Sequence, residues 1–414
     1  MARQMGEAGR EVRLGILGLG ARGWEQMKVL CAMEDVTIAA LYDPYEDRVQ
    51  KAADYIQQQR GARPAEAKAE WEVFDRDDIE GVVIMTSWQT HIRLAVEALR
   101  NGKVPALEVG GASSIDECWQ LVRASEQTGL PVMLLENCCY GKEEMTVLNM
   151  VRRGLFGELV HCRGGYEHDL RDEVGKGDLL RHYRLENFLH RNGELYPTHE
   201  LGPIAKYLDL NRGNRMTMLT AMASKAVGEQ AWRRENRPDA PHANAAFNQG
   251  DIVTTMIKCA GGETIVLTHD CTLPRPYSRG GRVQGTKGIW MEDNRSLYIE
   301  GRSPHDPSHW THRWESDAAY MEEYKHPLWK EYEEFGQRGG HGGMDYLVLR
   351  AYVESLQENK PFPIDVYDTA SWMAITCLSE QSIAMGSMPV AVPDFTDGAW
   401  MTPRAKHEGR YALD

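Results

Sequence analysis

Residues 12–43 constrain the fold more than any other stretch. Val12-Arg13-Leu14-Gly15-Ile16-Leu17 reads as a short buried strand and runs straight into Gly18-Leu19-Gly20-Ala21-Arg22-Gly23. A helix is expected from there to about Met33. A second strand, Val36 to Tyr42, ends at Asp43, twenty positions after Gly23. Each part has a use in holding a dinucleotide: glycines for the turn and for close backbone approach, a helix start for the pyrophosphate, and an acid for the ribose hydroxyls. Glycine turns alone are common; strand, glycines, helix, strand and acid in this order are specific. The pattern assigns Gly18, Gly20, Ala21, Arg22, Gly23 and Asp43 to cofactor binding. Asp43 would repel a 2′-phosphate, so NAD is expected over NADP. Arg22 is the one residue that argues the other way.

The alternation continues. Residues 47–59 have helical spacing, and Gly61 to Glu70 is a polar connection. Val82 to Thr86 is a buried strand, with a helix from about His91 to Asn101. Val104 to Val109 is the next strand. Ser114 and Glu117 form a capping box that opens a helix to about Gly129, and Val132 to Glu136 is a further strand. Strands and helices in this rhythm build a doubly wound parallel sheet, which binds ligands at its strand carboxyl ends. Those ends carry Trp88, His91, Glu108 and Asn137. Loop packing, a cap and an ordinary turn account for each of them singly; their placement after successive strands points to a nicotinamide and ribose pocket.

A second stretch carries acid–base chemistry. In Arg191-Asn-Gly-Glu-Leu-Tyr196-Pro-Thr-His199-Glu-Leu-Gly-Pro203, Pro197 suits the first position of a helix. Leu201, Ile204, Tyr207 and Leu208 continue with helical spacing. Tyr196 then sits where the helix begins and His199 in its first turn, and a spacing of three can turn both to one side. The positive potential of a helix N-terminus lowers an imidazole pKa and keeps it neutral, ready to take a proton.

Composition mostly excludes. A chain of 414 residues has room for two domains, and its net charge of −14 with no basic run argues against nucleic acid. No stretch approaches the roughly 20 apolar residues of a membrane span. Met1 to Arg10 lack the apolar core of a signal peptide. The eight cysteines show no CxxC pair, and Cys138 and Cys139 are adjacent and poorly placed to bridge. This is a reduced, cytoplasmic inventory with no metal site expected.

The glycine turn, Thr86-Ser-Trp-Gln-Thr-His91 and Gly102-Lys-x-x-x-x-Glu108 together resemble the Gfo/Idh/MocA superfamily, relatives of glucose–fructose oxidoreductase and inositol dehydrogenase. Ordinary members have Glu-Lys-Pro at that strand end, where the Lys serves proton transfer. Here Val109 and Gly110 follow Glu108. Val109 in that place, with Glu136-Asn-Cys-Cys-Tyr-Gly141, Asn149-Met-Val-Arg152, Tyr196-Pro-Thr-His199 and His341-Gly-Gly-Met-Asp-Tyr346, resembles one branch, the NAD-dependent α-N-acetylgalactosaminidase-like glycosidases of family 109. The likeness runs from about Val12 to about Phe395. Gly110 departs from it, since the branch usually has Pro there.

The resemblance implies more than the residues show. It adds Val109 to the cofactor-binding set and makes Tyr166, Arg184, Tyr196, Thr198, His199 and Tyr277 sugar contacts, with Tyr196 and His199 catalytic. It leaves open whether His341 lines a site or fills a loop. It implies transient oxidation of the sugar at C-3, elimination across C-1 and C-2, and addition of water. The alternatives are a sugar or polyol dehydrogenase on the same fold, disfavoured by the absent lysine, and a catalytically idle NAD-binding sensor, disfavoured by the Tyr-Pro-Thr-His motif. The partner is a small-molecule glycoside, with no nucleic acid or membrane. A homo-oligomer is left open, since an exposed sheet face commonly pairs in this superfamily.

The expected fold is α/β: an N-terminal doubly wound (Rossmann) parallel sheet over 11–137 and a C-terminal α+β domain with a mostly antiparallel open sheet over 138–400. In the second part a helix is expected from Glu143 to about Arg153, and strands at Glu158–His168, Arg215–Ala226, Asp251–Cys259 and Glu263–Asp270. Ala260-Gly-Gly and Thr286-Lys-Gly suggest hairpins. Residues 170–195 and 228–250 read as long, polar, irregular loops, candidates for site loops or oligomer contacts, and the aromatic stretch Trp310 to Phe335 as surface-loop packing rather than a sugar platform.

Overall fold

The computed structural model describes residues 9–306, 308, 311–336, 339–402 and 409–414. The chain forms two compact units, Met1–Gly141 with Pro327–Ala370 and Ala405–Asp414, and Lys142–His326 with Ser371–Arg404. The first unit thus takes in chain from well beyond residue 137.

Its centre is a six-stranded parallel sheet: β1 (Val12–Leu17), β2 (Val36–Tyr42), β3 (Ala65–Glu66), β4 (Gly81–Ile84), β5 (Val104–Leu107) and β6 (Met133–Leu134), in the order β3-β2-β1-β4-β5-β6. The interior strands are apolar runs because parallel sheets are covered on both faces; Val82, Val83 and Ile84 are fully buried. The crossover helices are α1 (Ala21–Cys31), α2 (Glu46–Arg60), α3 (Glu70–Phe74), α4 (Trp88–Arg100) and α5 (Ile115–Thr128). The expected capping box is present: Ser114 Oγ accepts from the Glu117 amide at 3.1 Å, and Glu117 returns a carboxylate to the Ser113 amide at 3.1 Å. The stretch Gly61 to Glu70 is not wholly a connection, because β3 lies within it and pairs with β2.

The second unit opens with α6 (Lys142–Arg152) and is built on a nine-stranded sheet. Its strands are β7 (Leu159–Glu167), β8 (Met216–Ala223), β9 (Ile252–Cys259), β10 (Thr264–Asp270), β11 (Arg282–Gly285), β12 (Gly288–Met291) and β13 (Ser296–Ile299), with short edges β16 (Glu315–Ser316) and β17 (Val390–Ala391). A separate ladder pairs β14 (His305–Asp306) with β15 (Thr311–His312). The order is β16-β13-β12-β11-β7-β10-β9-β8-β17, antiparallel except where β10 runs parallel to β7. Both expected hairpins form, β9–β10 and β11–β12. Alternation sets the faces: along β9, Val253, Thr255, Ile257 and Cys259 are buried while Thr254, Met256 and Lys258 are exposed.

Three expectations fail, for one reason. Residues 170–195 hold α7 (Arg171–Gly175), α8 (Gly177–Leu180) and α9 (Arg184–His190), and 228–250 opens with α11 (Gly228–Asn236). Past Trp310, which lies outside the described residues, the aromatic stretch forms α12 (Ala318–Glu323) and α13 (Pro327–Phe335). Trp329 and Tyr332 of α13 are core residues of the first unit, and the Trp329 indole donates to the Tyr140 carbonyl at 3.0 Å. Tertiary burial, which one-dimensional periodicity under-reports in short polar helices, decided each case.

Candidate functional site

In the first unit the fingerprint has the geometry a dinucleotide needs. Gly18 has φ +92°, and a Cβ there would lie 2.4 Å from the Met85 carbonyl, so only glycine can make this turn. A Cβ at Gly23 would likewise lie 2.2 Å from the Gly18 carbonyl oxygen. Gly20 is less confined, a notional Cβ there meeting only an Arg48 nitrogen at an ordinary 3.5 Å. Helix α1 starts at Ala21 with no side-chain cap and no acidic residue in its first turn. Its first amides therefore present positive potential to an anion. Asp43 Oδ2 accepts from the Leu19 amide at 2.7 Å and Oδ1 from the Tyr45 amide at 2.9 Å, which ties the end of β2 to the turn. These residues fit a dinucleotide with its pyrophosphate at Gly20 and Ala21.

Arg22 does not point toward a 2′-phosphate role. Its Nε donates to Glu108 Oε1 at 2.6 Å, and Nη1 and Nη2 each reach the Asp345 carboxylate at 2.8 Å. Asn137 donates to the same carboxylate at 2.8 Å. Three expected residues are thus brought together by a fourth, Asp345, on α14 (Met344–Glu358), which sequence reasoning passed over. Its only signal was membership in the His341-Gly-Gly-Met-Asp motif. Burial works against ionisation of Asp345, yet the bonds from His341 and Arg22 and the guanidinium's charge hold it well below the usual carboxylate range.

Trp88 is the first residue of α4 and is buried, as are His91 and Val109. His91 Nε2 donates to the Thr86 carbonyl at 3.0 Å, fastening the loop after β4. The Val109 amide donates to Glu108 Oε2 at 2.8 Å. Gly110 has φ +150°, and a Cβ there would meet the Trp88 indole at 2.3 Å. Proline, locked near φ −65°, cannot adopt this backbone. The departure from the branch's usual residue is therefore matched to a tryptophan packed on the chain.

In the second unit, α10 (Thr198–Tyr207) begins just after Pro197, as its spacing predicts. It can lie on β7 because Gly164 leaves room: a Cβ there would come within 2.6 Å of Glu200 Cβ. That seating puts the ring of Tyr196 4.4 Å from Tyr166 and 4.8 Å from His199, the latter pair perpendicular at 89°. Tyr166 and His199 rings are 5.5 Å apart. Arg184, at the start of α9, holds its guanidinium 5.1 Å from the Tyr196 ring and 5.6 Å from Tyr166. Burial pushes the Tyr166 phenol up, against the pull of Arg184.

Two expected residues stand apart from this group. Tyr277 is half exposed and joins it through His168, whose ring lies 5.0 Å away. Thr198 is fully buried, and its hydroxyl has no hydrogen-bond partner among the described residues. His168 was missed by sequence reasoning. Its Nδ1 lies 3.3 Å from the Tyr166 hydroxyl, and burial, then the charge of Arg184, pushes its pKa down. Two positions past Tyr166 on the same strand line, it shares that residue's face, a period-two signal that could have found it. The cluster can orient sugar hydroxyls, cover a ring with aromatic faces, and move protons.

The fold and the first unit define the class. Residues 12–135 match the oxidoreductase family with the NAD-binding Rossmann fold, the Gfo/Idh/MocA superfamily. The solved levoglucosan dehydrogenase, in complex with NADH and levoglucosan, shares the fold with a TM-score of 0.69 at 16% identity, over 93% of this chain and 100% of its own. Residues 140–402 match the C-terminal domain of glycosyl hydrolase 109. A glycosyl hydrolase family 109 protein of Stenotrophomonas maltophilia is 42% identical over 97% of this chain and 93% of its own length. An α-N-acetylgalactosaminidase of Tannerella forsythia is 38% identical over 96% and 88%. The chain belongs to glycosyl hydrolase family 109, and it is a glycosidase.

Proposed function

We propose that this glycosidase binds NAD and cleaves N-acetylgalactosaminides or related hexosides by oxidation, elimination and addition of water. The perpendicular pair of Tyr196 and His199 at the start of α10, beside Tyr166 and Arg184, carries the reading. The name of the Tannerella relative supports the sugar class. Val109, in place of the superfamily's usual lysine, supports a departure from plain dehydrogenase chemistry. The turn at Gly18–Gly23, with Asp43, Trp88, His91, Glu108, Val109 and Asn137, would hold the cofactor.

When bound, NAD supplies a reversible sink for the C-3 hydride, so that a C-3 ketone makes the C-2 proton acidic. Tyr196 and His199 take and return the protons at O-3 and C-2. Loss of the C-2 proton expels the C-1 substituent as an alcohol; water then adds at C-1 and C-2 is reprotonated. Arg184 and Tyr166 orient hydroxyls, Tyr277 covers the outer edge, and the Thr198 hydroxyl is a further sugar contact. No pair of carboxylates flanking the glycosidic bond is required, unlike in a displacement glycosidase. The same reading puts the protein in the cytoplasm, supported by eight cysteines of which none forms a disulfide among the described residues, with a small-molecule glycoside as partner. A self-association through the sheet face that exposes Met218, Met222 and Met256 belongs to it too. Among the described residues no helix is long and apolar enough to cross a membrane.

The order of bond breaking tests the proposal. Hydrolysis of a nitrophenyl N-acetylgalactosaminide in D₂O should place deuterium at C-2 of the released sugar, and a thioglycoside should also be cleaved. NADH should not accumulate in proportion to product. Protium alone at C-2, with rates indifferent to deuterium at C-2 and C-3, would reject the mechanism. Stoichiometric NADH would favour a dehydrogenase instead.

A further inference from the structure

The carboxyl ends of β5 and β6 carry an ionic cluster larger than a dinucleotide fingerprint needs. Asp345 is 1% exposed and accepts four hydrogen bonds: two from Arg22, one from Asn137, and one from His341 Nδ1 at 2.7 Å. A carboxylate can only accept, so His341 carries its proton on Nδ1 and its 3.1 Å approach to Arg22 Nη1 is packing. Glu108 Oε1 takes Arg22 Nε and, at 3.2 Å, Gln26 Nε2. With Oε2 on the Val109 amide, Glu108 is held on both oxygens. Its bonds suit an anchor rather than a mobile base.

The charge count matters. Two carboxylates, Glu108 and Asp345, share the one Arg22 guanidinium, which leaves one carboxylate charge that this guanidinium does not match. Arg22 follows β1, Glu108 follows β5 and Asn137 follows β6. In a doubly wound fold the β4–β6 half serves the second mononucleotide, here the nicotinamide. The oxidised nicotinamide ring is a cation and the reduced ring is neutral.

We propose that Asp345 is a positioning residue of the cofactor site: it aligns Arg22 and Asn137 and, with Glu108, leaves a net negative cluster that favours oxidised over reduced nicotinamide. The inference rests on the NAD reading. It gives that reading a resting state, because a glycosidase that regenerates its cofactor must end each turnover with NAD⁺ in place.

The test is binding rather than turnover. NAD⁺ and NADH are titrated separately, by calorimetry, into protein stripped of nucleotide. Wild type should prefer NAD⁺. Asp345→Asn keeps the volume and removes the charge, and should lower the NAD⁺ to NADH affinity ratio on the order of tenfold at low salt, less at high salt. A merely structural role would weaken both nucleotides alike and leave the ratio unmoved, and that result overturns the proposal. If circular dichroism shows that Asp345→Asn does not fold, Glu108→Gln removes the other charge and should move the ratio the same way; an unmoved ratio there is equally decisive. Wild type that binds neither nucleotide would instead bring down the NAD reading itself.

Discussion

Replacing His199 with alanine is expected to cut turnover roughly 10²–10⁴-fold, the usual contribution of a positioned acid–base group, while the protein folds and keeps its cofactor affinity. The residue is partly exposed in the first turn of α10, so its loss leaves no large cavity in the core. Its ring stands perpendicular to Tyr196 and edge-on to Tyr166, placed against the aromatic wall of the cluster by α10 rather than by loop packing. Steady-state kinetics on a nitrophenyl glycoside, with a thermal melt and a nucleotide titration on the same preparation, check the outcome. Wild-type turnover in a folded variant would leave His199 as a helix residue and nothing more. Tyr196→Phe should fall in the same range, since it removes the hydroxyl and keeps the ring that lies tilted against Tyr166. Because the two act on one sugar, the double variant should lose less than the product of the single losses.

The second large effect concerns stability. Glu194→Gln should remove the share of the pH dependence of stability between about pH 5 and pH 8 that Glu194 contributes, while Glu229, also pushed up to about 8 by burial, keeps its own. Glu194 is 1% exposed, and among the described residues neither carboxyl oxygen has a hydrogen-bond partner of ordinary geometry. Burial, opposed by the Tyr196 amide, pushes its pKa from 4.5 up to about 8. The sign follows directly. Well below pH 4.5 both states carry the proton and ionisation of Glu194 contributes nothing. As pH rises toward 8 the unfolded chain ionises freely while the folded one cannot, so stability falls, and above about 8 the loss is complete. Each pH step in that window is worth about 1.4 kcal/mol, or roughly 3 kcal/mol by pH 7. Urea midpoints for wild type and variant across the window read it out. The slope is the test, because the buried amide brings unsatisfied groups of its own. Parallel profiles for wild type and variant from pH 5 to pH 8 would mean that Glu194 ionises freely in the fold.

Glu194 also shows where sequence reading stops. It lies two residues before Tyr196 in a stretch already marked for chemistry, yet nothing in its neighbours' identities reports that the site is dry. Its backbone is pinned by Ser379 and Thr376, which donate to or accept from it across more than 180 residues of chain. Asp345 is the same case in the first unit: its bonds to Arg22 span 323 residues. His168 was nearer to legible, since strand alternation alone places it beside Tyr166.

The sequence by itself determined what depends on backbone geometry and short-range pattern. Gly18 must be glycine for its turn, Asp43 must close β2, Ser114 must cap α5, and Pro197 must begin the helix that carries His199. Apolar runs and alternation were enough to tell a parallel sheet buried on both faces from an antiparallel one with an open face. The tertiary structure alone decided which distant groups meet. It joined Arg22 to both Glu108 and Asp345, turned the Trp329 and Tyr332 of an apparent surface stretch into core, and made helices of residues 171–190. The physical reason is that a turn or a cap is set by forces within a few residues. Burial and charge pairing depend on whichever segments the completed fold packs together, and no local pattern records that choice.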